Sequence, residues 1–112
     1  MIRKSYQEEN YLIDTHTGVA FRVLEHYRKE NDTVPTVVLS TASPYKFCDS
    51  VLSALGKNVE NCPGAELINA LHETTGVKAP EPLKDLDKRE IRFTGVTEKE
   101  NMINVVDQFL SK

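Results

Sequence analysis

No stretch of this sequence is apolar over anything near the roughly 18 residues that a membrane-spanning helix requires. Met1 to Asn10 is polar and lacks the apolar centre of a secretory signal. No basic face stands out either. The 112 residues carry 14 Lys and Arg against 17 Asp and Glu, spread along the chain, for a net charge of -3. That argues against a nucleic-acid surface and against a membrane partner. Cysteine is scarce: Cys48 and Cys62 are the two present, with no CxxC pair and no zinc-ligand spacing. They read as reduced thiols of a cytoplasmic protein. There is no glycine-rich phosphate loop and no serine-hydrolase elbow. The carboxylate pairs Glu8 with Glu9, Asp85 with Asp87 and Glu98 with Glu100 read as solvated helix ends, so no metal site is expected. What is present suits one small domain, with 39% hydrophobic residues.

One stretch organises the rest. Thr36 to Leu39 is a short, apolar, β-branched run, the pattern of a strand covered on both faces. Ser40 and Thr41 place two hydroxyls at its carboxyl end, and the strand is expected over 36–41. Ser43 suits a helix N-cap and Pro44 the first helical position. Ligands of open α/β sheets bind beyond the carboxyl ends of strands. Thr41 is therefore the first place to look for a site.

Upstream, Asp14 or Thr15 can cap a helix running to about Glu30, with Ala20, Val23, Leu24 and Tyr27 as its buried stripe. Gly18 near its start costs about 1 kcal/mol relative to alanine, or permits a close approach. Asn31 to Pro35 is a turn-rich connection. Downstream, a helix from Pro44 to about Leu55 turns Phe47, Val51, Leu52 and Leu55 to one face, and Gly56 ends it. Another, over 65–74, offers Leu67, Ile68 and Leu71, with Gly76 closing it. Ile91 to Thr94 alternates like a short edge strand. Thr97 to Glu100 matches a capping box and opens a last helix to about Leu110, striped by Ile103, Val106 and Leu110.

This is an α/β pattern with too few strands. Burying each of Val37, Val38 and Leu39 is worth about 1.5–3 kcal/mol, yet the chain offers one central strand and one short partner. The expectation is a single C-terminal piece of a larger α/β protein, spanning 1–112.

The run Val38-Leu39-Ser40-Thr41-Ala42-Ser43-Pro44-Tyr45-Lys46-Phe47 resembles the C-terminal motif of threonine synthases. The segment Tyr11-Leu12-Ile13-Asp14-Thr15-His16-Thr17-Gly18-Val19-Ala20 resembles that family's Asp-Pro-His-Thr segment, with Thr15 where the family has proline. The resemblance implies a pyridoxal 5'-phosphate enzyme of the tryptophan-synthase-β-like fold, fold type II. It would convert O-phospho-L-homoserine and water to L-threonine and phosphate. It implies that Thr41 hydrogen-bonds the pyridine nitrogen of the cofactor, with Ser40 as a secondary neighbour. A hydroxyl, unlike a carboxylate, does not hold that nitrogen protonated, which makes the ring a gentler electron sink. No lysine here sits in the family's Schiff-base context, so no catalytic residue is expected in this piece. Alone it is expected to be inactive and, with an apolar strand in need of cover, to self-associate.

Two other readings stand beside this one. One is a stand-alone module that binds an anion or a partner at the Ser43-Pro44 helix start. The other is a related pyridoxal-phosphate enzyme acting on another amino acid. His16 beside Asp14 invites an acid–base role, though a locally bonded histidine at a helix start is the simpler reading.

Overall fold

A computed structural model describes residues 1–30 and 35–111, and among them the protein is helical. The connection at 31–34 lies outside the described residues. Helix α1 spans Ile2–Glu9, α2 Thr15–Glu30, α3 Cys48–Ala54, α4 Gly64–Thr75 and α5 Met102–Leu110. A 3-10 turn, Pro44–Phe47, leads into α3, and another, Lys99–Asn101, leads into α5. Two more, Glu81–Leu83 and Leu86–Lys88, punctuate the connection between α4 and α5.

The core forms where α3 and α4 pack together. Val51, Leu52 and Leu71 are sealed from solvent, and Leu12, Tyr45 and Cys48 close the cluster around them. The stripe expected on α3 is therefore the one that is buried. Burial pushes the Cys48 thiol up, and the nearby Asp49 adds to this. The thiol donates to the Tyr45 carbonyl at 3.2 Å.

Helix α1 lies against α3 and covers this core with Ile2 and Tyr6. Arg3 Nε donates to the Ala54 carbonyl at 2.9 Å, at the open end of α3, and the Tyr6 hydroxyl reaches the Thr75 carbonyl at 3.1 Å, at the end of α4. These bonds satisfy carbonyls that a helix end leaves without partners. The Tyr45 hydroxyl likewise donates to the Val77 carbonyl. Gly18 serves a close approach: a Cβ there would stand 3.3 Å from Ile2 Cγ1.

The central strand is not there. Residues 35–41 belong to no helix or sheet, and the described residues contain no strand at all. The expected α/β class is overturned. Val37 and Leu39 are 84% and 77% exposed, and Val38 alone of the apolar run is half-buried. A β-branched run favours extended backbone, but a strand also needs a neighbour to take its N–H and C=O groups. The edge strand at 91–94 fails for the same reason, with Ile91 and Phe93 bare to solvent.

Two helical expectations also need correction. On α2, Ala20, Val23 and Tyr27 of the expected stripe are exposed, and Leu24 is half-buried, as is Phe21 outside it. The capping box before α5 does not close: Glu98 caps the 3-10 turn without a side-chain bond, and Thr97 Oγ1 reaches only the Glu98 carbonyl. Every described residue from 84 to 111 is exposed. The radius of gyration is accordingly 19.1 Å, against about 13 Å for a compact domain of this length.

Candidate cofactor-facing site

The start of α2 is built on Asp14. Its side chain is fully buried, and Oδ1 accepts the Thr17 N–H at 2.8 Å, the bond an N-cap makes three residues on. The Asp14 carbonyl takes the Gly18 N–H at 2.9 Å, the first bond of the helix. Burial pushes the Asp14 carboxyl up. Bonding by Thr17, helped by the nearby His16, outweighs that and leaves it below the ordinary carboxylate range. Its second oxygen, Oδ2, has no hydrogen-bond partner among the described residues, and His16 Nδ1 stands 3.4 Å away.

Residues 11–20 and 38–47 meet here. Thr17 Oγ1 donates to Ser40 Oγ at 3.1 Å, and the His16 ring lies on Phe47 with centroids 4.9 Å apart. The Thr17 side chain is almost wholly buried, at 3% exposure. Next to this junction Thr41 is exposed, and its side chain makes no hydrogen bond to another described residue. Ser43 Oγ accepts the Tyr45 N–H at 3.3 Å and so caps the following turn. His16 is exposed beside its carboxylate, and Lys46 faces solvent.

The sequence pointed to Ser40 and Thr41 but passed over Thr17. The signal was available: with Asp14 as N-cap, Thr17 is the residue whose N–H the cap receives, which turns it toward the buried carboxylate. No group of three His, Cys, Asp or Glu among the described residues is arranged to hold a metal ion.

Comparison with known proteins bears directly on this junction. The family model described as threonine synthase, C-terminal, matches residues 17–109. The chain belongs to that family. The threonine synthase of Corynebacterium glutamicum is 44% identical over 46 residues, which make up 41% of this chain and 9% of that protein. The aligned part is thus a small fraction of that relative's length. No solved structure matches.

Threonine synthases as a family use pyridoxal phosphate, and the residues here fit one edge of it. The open hydroxyl of Thr41 suits a ring nitrogen. The phosphate finds no cradle among the described residues. Gly18 is packed on Ile2, Gly56 and Gly76 end helices at positive φ, and Gly64 and Gly95 stand apart from the junction in sequence.

Proposed function

We propose that this chain is the C-terminal part of a threonine synthase that works in the cytoplasm and converts O-phospho-L-homoserine and water to L-threonine and phosphate. The observation that carries the reading is the family match over 17–109, which takes in Thr17, the Ser40 that Thr17 bonds, and Thr41. The bound cofactor supplies an electron sink for the substrate carbons. The part of this chain is narrower. Thr41 offers its hydroxyl to the pyridine nitrogen without holding a proton there. Ser40, whose oxygen accepts from Thr17, is a secondary neighbour of the cofactor. The Schiff-base lysine and the phosphate cradle belong to other parts of the polypeptide.

The test uses the full-length enzyme. Thr41→Val removes one hydrogen bond to the cofactor and is expected to weaken its binding by roughly 2- to 10-fold. Thr41→Asp is expected to change the cofactor's absorbance and slow turnover. Unchanged spectra, affinity and rate in both variants would overturn the assignment. The isolated 112-residue chain, assayed beside them, is expected to form no threonine and to sediment above monomer mass through its bare apolar groups. Threonine production by that chain alone, or a clean monomer at high concentration, would refute the corresponding claim.

A further inference from the structure

The segment that carries Thr41 belongs to no helix or sheet. Within residues 35–41 Val38 is half-buried, and Val37, Leu39, Ser40 and Thr41 are exposed. Near its end, one bond reaches into the packed body of the protein, from Thr17 Oγ1 to Ser40 Oγ at 3.1 Å. The two partners are unequal. Thr17 is 3% exposed, and its N–H is fixed at 2.8 Å by a carboxylate that is itself fully buried. Ser40 is exposed. A buried donor therefore sets the place of an exposed acceptor. Thr41 is the next residue, one peptide step of about 3.8 Å along the chain, so its position follows that of Ser40.

We propose that Thr17 is a positioning residue for the Ser40-Thr41 hydroxyl pair, holding Thr41 where a ring nitrogen is to be met. The role toward the cofactor rests on the reading of Thr41 given above; the hold on the segment does not. Asp14 contributes indirectly, by fixing the backbone of Thr17. His16 on Phe47 adds a second contact between the same two stretches, but places no hydroxyl.

NMR order parameters of the backbone test this in the chain itself, at dilution and without cofactor. Thr17→Val keeps the side-chain volume and removes the hydroxyl. It is expected to lower the order parameters of residues 39–41 from about 0.85 toward 0.6 or less, leaving residues 12–14 and 48–52 unchanged. Thr17→Ser, which keeps the donor, is expected to restore them. Ser40→Ala removes the acceptor without touching the core and is expected to loosen 39–41 as Thr17→Val does. Wild-type order at 39–41 in Thr17→Val or in Ser40→Ala, or Thr17→Ser as loose as Thr17→Val, would overturn the proposal. Loosening confined to 39–41 upholds it whatever Thr41→Val does to cofactor affinity, so the two readings fail separately.

Discussion

Helices α3 and α5 carry apolar stripes of similar quality, yet one makes a core and the other is bare. On α3, Val51 and Leu52 have no more than 1% of their surface exposed. On α5, Ile103 is 65% exposed and Phe109 and Leu110 are each 75% exposed. The difference does not lie in the stripe. It lies in what stands opposite: α3 has α4 with Leu71, and α1 over the top, whereas α5 faces no packed neighbour among the described residues. A helical period says which face is apolar. Whether that face stabilises anything depends on a second apolar face within reach.

The sharpest test of that contrast is a truncation in the buried half. Leu52 is enclosed by the cluster that joins α3 to α4, so Leu52→Ala loses transfer free energy and leaves a cavity. It is expected to cost about 2–5 kcal/mol in denaturant unfolding. A cost near zero would mean that the packed half is no more a core than the bare one.

Asp14 tests the junction between the two motif stretches, at a smaller magnitude. Losing the N-cap in Asp14→Ala is expected to cost about 0.5–2 kcal/mol. The charge adds a pH signature. The folded carboxyl lies below the ordinary aspartate value of about 3.9, so the stabilisation it gives is present above that value and is lost as pH falls through the folded value. Asp14→Asn keeps a good cap but cannot titrate. The stability advantage of the wild-type chain over Asp14→Asn should therefore shrink on acidification below about pH 4. An advantage that grows as the pH drops would reverse the assigned sign.

The same contrast explains what sequence reasoning reached. Local chemistry was legible: the Asp14 cap, the Ser43-Pro44 helix entry, the Gly76 stop and the inward stripe of α3 all follow from bonds and contacts within a few residues of each other. The claims that failed needed a distant partner. Val37-Val38-Leu39 has the composition of a buried strand but no neighbouring strand among the described residues. Val23 and Tyr27 form a helical stripe that meets no second face. In the candidate site, the turn after Ser40 and Thr41 marks them as candidates. The Thr17–Ser40 bond carries no such mark, because it exists only once 11–20 and 38–47 touch, 23 residues apart in sequence.

The smallest effect belongs to the bare half, and it is the one that tells whether α5 lacks structure or lacks cover. Phe109 is 75% exposed, so in dilute solution Phe109→Ala removes little that folding had buried. Its cost should stay within about 0.5 kcal/mol, as for other surface substitutions. A nine-residue helix is also too short to be firmly stable by itself in water, so little is lost if its stripe is weakened. Once a second surface covers α5, the same ring becomes a core residue, and its loss should approach the roughly 3–5 kcal/mol of a buried phenylalanine. The self-association proposed for the isolated chain would provide such cover by mass action. The penalty for Phe109→Ala should therefore rise with protein concentration, while that for Leu52→Ala, already paid within the monomer, should not. Equal concentration dependence of the two would remove the distinction between a core that this chain completes and a face that it leaves open.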